Sequence, residues 1–529
     1  VAQTQTWGAP LTRRQLAASA AGALCATACR RQAPWRPNFL IAVADDQSWP
    51  HAGALGSRAV RTPAFDRIAR AGVRFTHSFS ACPSCTPSRS ALLTGRAIWQ
   101  LEEGGVLYGS LPPWYPLFPH LLADAGYHVG FTGKGWAPGN WQALGLKRHP
   151  IGAEFNRRTF AQPVAKGIDT RDSLANFEDF LAARPPGAPF CFWFGSTEPH
   201  RTYDPGIGLR SGKILDDADV PPYWPDVETV RSDILDYYFE IEWYDRQLER
   251  LLKKLTLTGE LDDTFVIVTS DNGMPFPRAK VNLYDAGVRM PLAMSWGRCI
   301  AGGRVIADFV SHADLAPTIL EAAGVERPPA MSGRSLLGML QSTQSGRIEP
   351  GRDYVVTALE RHTWCRPDGA TYPVRALRTA DFLYICNFAP DRWPTGGPDF
   401  VSSNRTFHGD VDAGPIKTFM ESAECRTRFP RHYELCYGKR PAEELYDLRQ
   451  DPNQVTNVAA QAAYQKTKSH LRSRLEDHLK RTGDPRIEGR DPWRSYIYHQ
   501  TAGFGATFNR SLPEQVRRQA RESAAHKPE

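Results

Sequence analysis

Two unbroken apolar runs constrain this chain more than any other feature. Residues 38–46 read Asn-Phe-Leu-Ile-Ala-Val-Ala-Asp-Asp, an apolar run ending in two acids; residues 264–270 read Thr-Phe-Val-Ile-Val-Thr-Ser and stop at Asp271, Asn272 and Gly273. A strand with one wet face alternates polar and apolar residues. Continuous runs of this length suit strands covered on both faces, as in a parallel sheet between helices. The second run is strongly β-branched, which fits a pleated, buried surface. Both runs end in oxygen-bearing side chains. Parallel strands open their ends on one edge, where ligands bind, so Asp45, Asp46, Asp271 and Asn272 are expected to converge. Each pair alone has a commoner use, since Asp caps helices and Asn-Gly forms turns.

The intervening segments agree with this frame. Residues 63–71 read as a helix with Pro63 in its first turn. Residues 127–132 and 189–195 are short strand candidates, and 232–255 carry apolar side chains at helical spacing. Strands alternating with helices indicate an α/β domain with a mainly parallel sheet, expected over 35–340. A Ser/Gly/Gln-rich stretch, 341–351, reads as a linker. Strand candidates at 354–358, 374–377 and 382–387, a Pro/Gly/Asn-rich loop at 389–415 and a helix at 456–480 suggest a smaller α+β domain over 341–495, followed by a basic tail, 496–529. A chain of 529 residues is long for one domain. Its 41% hydrophobic and 23% charged content is globular. The net charge of +7 comes without the basic runs that nucleic acid requires, and it is compatible with an anionic small substrate.

Thr12-Arg13-Arg14-Gln15-Leu16, followed by an Ala-rich stretch over 17–28, reads as a twin-arginine export signal within 1–34. Such a signal implies a periplasmic or extracellular protein; an Arg-containing loose tail is the alternative. Cys29 is a candidate lipidated first residue. The apolar stretch is too short to span a bilayer, and no later segment is apolar enough. The ten cysteines lack the paired spacing of a zinc site. Export permits disulfides, and Cys425 with Cys436 is a candidate pair.

The most specific motif is Cys85-Thr86-Pro87-Ser88-Arg89, continued by Ser90-Ala91-Leu92-Leu93-Thr94-Gly95-Arg96. A helix is expected over 88–93, with its N-terminus favouring an anion nearby. A buried structural Cys or a redox pair of Cys82 and Cys85 are the plainer readings. The motif resembles the signature of the sulfatase family, in which this Cys is oxidised to formylglycine by a formylglycine-generating enzyme. The hydrated aldehyde has two hydroxyls on one carbon: one attacks sulfur, and loss of the other's proton re-forms the aldehyde and expels sulfate.

The resemblance implies an alkaline-phosphatase-like α/β fold, a large, mixed, mainly parallel sheet flanked by helices. It implies one calcium ion held by Asp45, Asp46, Asp271 and Asn272 beside Cys85, since hard oxygen ligands suit such a cation. It further implies that Arg89, Lys134 and Lys280 hold charge and that His200 protonates the leaving group. Within the family, Asp271 to Pro277, Asn282-Leu283-Tyr284 and Tyr372-Pro373-Val374-Arg375 resemble the N-sulfoglucosamine sulfohydrolases, or heparan sulfamidases, the last stretch as a substrate-facing segment. Glu444 to Leu448 with Asp451-Pro452 resembles a shared structural element. The expected substrate is therefore a sulfate ester or sulfamate of a saccharide, N-sulfoglucosamine of heparan sulfate or heparin in particular. Two positions depart from the pattern. Trp136 stands where many members carry His, and Tyr284 to Arg289 follows the general family rather than the sulfamidases. A phosphodiesterase or phosphonate monoester hydrolase of the same superfamily, and a catalytically silent binder of sulfated glycans, are the rival readings.

Overall fold

The computed structural model describes residues 36–500. The export-signal candidate, Cys29 and all but the first residues of the basic tail lie outside the described residues. Eight strands form the large sheet: β1 (Asn38–Ala44), β2 (Val73–Phe75), β3 (His128–Gly133), β4 (Ala153–Glu154), β5 (Phe190–Gly195), β6 (Thr264–Ser270), β7 (Leu292–Ser295) and β8 (Arg304–Ile306). Their order is β4-β3-β5-β1-β6-β7-β2-β8. The pairs from β4 through β6 are parallel, β7 runs antiparallel to both neighbours, and β2 is parallel to β8.

The continuous apolar runs are explained by what lies on each face. Phe39, Ile41 and Val43 of β1 enter one core with Phe265 and Ile267 of β6 and Trp193 of β5. Leu40, Ala42 and Ala44 enter another with Val266, Val268, Phe192 and Phe194. Successive side chains on a strand point to opposite faces, so a sheet with two cores needs apolar residues at every position. Each large side chain so buried contributes about 1.5–3 kcal/mol.

Among the helices that cover the sheets or carry residues toward the strand ends are α1 (Pro63–Ala71), α2 (Cys85–Thr94), α3 (Glu228–Leu257) and α4 (Gln465–Arg481). Helix α3 covers the second core with Leu248, Leu251, Leu252 and Leu255. Helix α2 begins three residues earlier than its sequence suggests. Ser84 is extended and Pro87 falls within the first turn, where a missing N–H costs nothing. The helix expected at 456–480 begins only at Gln465, after a short 3-10 turn over Ala462–Tyr464.

The smaller sheet is antiparallel and has the order β9 (Tyr354–Leu359), β10 (Val374–Thr379), β11 (Phe382–Asn387) and β12 (Glu443–Asp447). Strand β12 is not evident in the sequence because Glu443-Glu444 breaks its apolar pattern. Glu444 is buried there, accepting hydrogen bonds from Tyr284, Tyr446 and Asn387. The 341–351 stretch, read as a linker, runs along β8: the Gly346 amide donates to Val305 at 2.8 Å. The segment over 389–414 has no helix or strand, as expected. The expected Cys425–Cys436 disulfide is not formed. Cys425 Sγ lies 3.8 Å from Met420 Sδ and Cys436 Sγ donates to the Tyr223 carbonyl at 3.5 Å, so each thiol is packed separately. Among the described residues no helix is long and apolar enough to cross a membrane.

One buried residue of α3 opposes the fold. Glu240 is 1% exposed, and among the described residues neither carboxyl oxygen has a hydrogen-bond partner. Burial, reinforced by Glu198 and Asp236, pushes its carboxyl from 4.5 up to about 9. Glu240 is thus protonated in the folded chain and ionised in the unfolded one at neutral pH. A folded value above the unfolded one means stability that is intact below pH 4.5 and lost as pH rises through 9. At pH 7 the loss is on the order of 3 kcal/mol. Glu240→Gln, neutral at every pH, is expected to raise the melting temperature at neutral and alkaline pH, with the gain shrinking toward pH 4.5. Thermal denaturation across that range checks this, and a gain independent of pH contradicts it.

Candidate active site

The strand ends do what the two runs suggest. Ala44 pairs with Ser270, so Asp45 and Asp271 leave the sheet side by side. The Asp271 amide donates to the Ala44 carbonyl at 3.1 Å, and the Asp45 amide donates to Glu198 O at 3.1 Å, just beyond β5. Lys134 leaves from the end of β3. Gly133 makes that exit possible: at φ 80° it brings the chain so close that a Cβ would lie 1.8 Å from the Gly195 oxygen, and the Lys134 amide then donates to that oxygen at 2.7 Å. Helix α2 points its first residue, Cys85, at this edge.

The side chains interlock through charge. Cys85 Sγ lies 3.6 Å from Asp45 Oδ1. Lys134 Nζ donates to Asp45 Oδ2 at 2.5 Å, and Lys280 Nζ to Asp46 Oδ2 at 2.8 Å. Arg89, one turn into α2, donates through Nε to Asp271 Oδ2 at 2.8 Å and through Nη1 to the Lys134 and Gly135 carbonyls. Asn272 Nδ2 donates to Asp46 Oδ1 at 2.6 Å. His200 Nδ1 is 2.7 Å from the Arg201 carbonyl, so the ring presents Nε2, 3.8 Å from Asp46 Oδ2. The structure therefore gathers Asp45, Asp46, Cys85, Arg89, Lys134, His200, Asp271, Asn272 and Lys280, every site residue expected from the sequence.

Three carboxylates are buried here, which is costly unless opposite charge is close. Burial tends to raise Asp45, but Lys134, His200, Arg89 and Lys280 hold it far below the usual carboxylate range. Asp46 and Asp271 are not so well compensated. Burial raises Asp46 despite Lys280, and pushes Asp271 up to about 6 despite Arg89. Asn272 Oδ1 is buried and, among the described residues, has no hydrogen-bond partner. Ligand atoms of Asp45, Asp46 and Cys85 lie within 4.8 Å of one another. Under-compensated carboxylates and an orphaned amide oxygen, all hard donors, fit a divalent cation such as calcium. Strain gathers at the same place: Asp46, Arg278 and Val281 are held at φ 75°, 66° and 66°.

Sequence reasoning missed three residues. Asp412 Oδ2 accepts from Lys280 at 3.0 Å, and its carboxylate lies within 4.8 Å of Asp46 and His200 ligand atoms. His362 Nδ1 is 2.8 Å from Ser84 Oγ, directly before Cys85, and burial pushes its imidazole down to about 4. Tyr108, half-buried at φ 54°, has its phenol raised by burial with Cys85, Lys280, Lys134 and Asp412 as electrostatic neighbours. A lone Asp in a Gly-rich loop, a lone His and a lone Tyr give no sequence signal.

Two sequence readings need correction or gain an explanation. Arg375 does not face a substrate. It is fully buried and ion-paired with Glu360 at 2.7 Å and Asp484 at 2.5 Å, because β10 packs its side chain inward. Trp136 is buried in the first core, where its Nε1 donates to Ser90 Oγ on α2 at 2.8 Å. It props the helix that carries Cys85 rather than lining the site.

Comparison with known proteins agrees with this geometry. The family model described as sulfatase matches residues 37–325. An ulvan-active sulfatase of Formosa agariphila is 28% identical over 458 residues, covering 85% of this chain and 81% of that protein. The N-sulphoglucosamine sulphohydrolase of Homo sapiens is 28% identical over 498 residues, covering 85% of this chain and 91% of that protein. A protein solved in complex with its substrate D-glucosamine-2-N,6-O-disulfate superposes with a TM-score of 0.62 at 20% identity, covering 86% of this chain and all of that one.

If Trp136 is a prop, Trp136→His vacates core volume and costs on the order of 3 kcal/mol. The melting temperature is expected to fall with no gain in turnover; higher turnover at unchanged stability contradicts this role.

Proposed function

Since this chain belongs to the sulfatase family, we propose that it hydrolyses the N-sulfate of glucosamine in heparan- or heparin-type saccharides, using calcium and a formylglycine made from Cys85. Hydrolysis of sulfated saccharides is the coarser part of this reading. The relatives named for N-sulphoglucosamine and for glucosamine disulfate motivate the finer part. One observation carries the sulfatase reading: oxygens of Asp45 and Asp46 lie within 4.8 Å of Cys85 Sγ at a helix N-terminus, with Asp271 leaving the neighbouring strand beside Asp45 and two lysines flanking the acids.

Asp45, Asp46, Asp271 and Asn272 would hold the calcium, which when bound draws charge from sulfate oxygens and acidifies a neighbouring hydroxyl. Residue 85, once oxidised to formylglycine and hydrated, would offer that hydroxyl as the nucleophile. The cysteine itself is unsuited to attack, because burial pushes its thiol well above its ordinary value. Lys134 spends one proton on Asp45 and keeps two for sulfate oxygens, while Lys280 spends one on Asp46 and one on Asp412 and keeps one. Arg89 is a positioning residue: its donors fix Asp271 and the chain at Lys134. His200 has Nδ1 committed to a carbonyl, so Nε2 is the nitrogen that gives a proton to the leaving atom. The Thr12 to Leu16 segment adds export to the reading, placing the enzyme where extracellular glycans are met.

Mass spectrometry of the peptide carrying residue 85, from protein made with a formylglycine-generating enzyme, is expected to show a loss of about 18 Da, the difference between CH2SH and CHO. That protein is expected to release sulfate from N-sulfoglucosamine faster than phosphate from a matched phosphoester, and Cys85→Ala to abolish release. Full turnover by protein whose Cys85 is unmodified, or a preference for phosphate, contradicts the proposal.

A further inference from the structure

Between β11 and β12 the stretch 389–414 has no helix or strand, yet the chain is anchored on both sides of Asp412. Asp410 accepts hydrogen bonds from the Thr363 amide and hydroxyl, each at 2.7 Å, and from Arg366 at 3.0 Å. Buried Lys417 donates to the carbonyls of His408 and Val411 at 3.2 and 2.8 Å. The Ile416 amide donates to Asp233 at 3.0 Å, and Asp233 grips Arg201, the neighbour of His200, through two hydrogen bonds. Asp412 is thereby placed, not left to wander. Its Oδ2 accepts from Lys280, its side chain remains 22% exposed, and a carboxylate oxygen lies within 4.8 Å of a His200 ring nitrogen and an Asp46 oxygen. Among the described residues Oδ1 accepts no hydrogen bond.

We infer that Asp412 sets a preference for an amine over an alcohol leaving group by holding the ammonium that sulfamate hydrolysis produces; this rests on the N-sulfate reading above. The two net reactions differ at the leaving atom. In R–NH–SO3⁻ + H2O → R–NH3⁺ + SO4²⁻, the N–S bond breaks, its electron pair stays on nitrogen, and both protons of the water end there. In R–O–SO3⁻ + H2O → R–OH + SO4²⁻ + H⁺, oxygen takes one proton and ends neutral. A carboxylate beside the imidazole that delivers the proton stabilises the developing cation of the first reaction and gains nothing from the second. Specificity is that difference, not the strength of either interaction. A role confined to orienting Lys280 would affect both substrates alike, because both present the same sulfate.

The test compares N-sulfoglucosamine with glucose 2-sulfate, which differ in the atom bonded to sulfur, on matured wild-type, Asp412→Asn and Asp412→Glu proteins. Asp412→Asn keeps the size of the side chain and can still accept from Lys280. The ratio of kcat/KM for sulfamate to that for ester is expected to fall about tenfold in Asp412→Asn and to recover in Asp412→Glu. Equal losses on both substrates, or an unchanged ratio, overturn the role of Asp412 while leaving the N-sulfate reading intact. A wild-type enzyme that leaves the sulfamate uncut overturns both, and does so before any variant is measured.

Discussion

Buried negative charge at the ends of β1 and β6 is the constraint to which the rest of this structure answers. Three carboxylates share a water-poor edge, and each ion taken from water costs several kcal/mol unless matched. The chain supplies Lys134, Arg89 and Lys280, each in contact with a different carboxylate. The match is incomplete: Asp46 and Asp271 remain raised. A site that is nearly neutral without ligands can accept a divalent cation together with the sulfate dianion that both reactions produce and stay near neutral. That is the electrostatic requirement of sulfate ester and sulfamate chemistry, and it explains why lysines and carboxylates are interleaved rather than segregated.

The scaffold around the edge is rigid for the same reason. The parallel register fixes Asp45 beside Asp271 through the backbone, before any side chain acts. Ser88 Oγ donates to the Asp271 carbonyl at 2.5 Å and Tyr237 accepts from the Ser48 amide at 3.0 Å, tying α2 and α3 to the two acidic turns. Arg201 stacks over Tyr203 and Phe276 at about 4.5 Å while held by Asp233, so the His200 turn is braced from α3 and from the segment after β6. Positive φ at Asp46 and Val281 stores strain of about 1–3 kcal/mol per residue, sustained by this bracing.

Much of this is legible in the residues. The 264–270 run becomes a strand with the same bounds and the 38–46 run a strand that stops at Ala44, before its two acids, because a doubly covered strand leaves no ambiguity of face. Of the nine residues gathered at the edge, Asp45, Asp46, Asp271, Asn272 and Lys134 follow strand ends and Cys85 and Arg89 lie within a long motif, whereas His200 and Lys280 stand out only through the family resemblance. What escapes depends on tertiary context. Strand β12 has a charged start, and Glu444 becomes acceptable only once Tyr284, Tyr446 and Asn387 surround it. The start of α2 is hidden because Pro87 looks like a boundary when it lies inside the first turn. Arg375 looks like a ligand-facing base, but inward packing of β10 and the partners Glu360 and Asp484, 15 and 109 residues away, make it structural. Asp412 is 132 residues from Lys280, and no local pattern announces such a meeting.

Hard oxygens at two strand ends, gripping one divalent cation beside residue 85, are the centre of the proposed chemistry. Calorimetric titration of metal-free protein with calcium reads that claim directly. One ion per chain is expected to bind, and the binding heat is expected to vanish in Asp45→Asn and Asp271→Asn proteins that remain folded. Binding that persists in both variants, or no binding by the unaltered chain, would show that these oxygens serve only to anchor the lysines and the arginine.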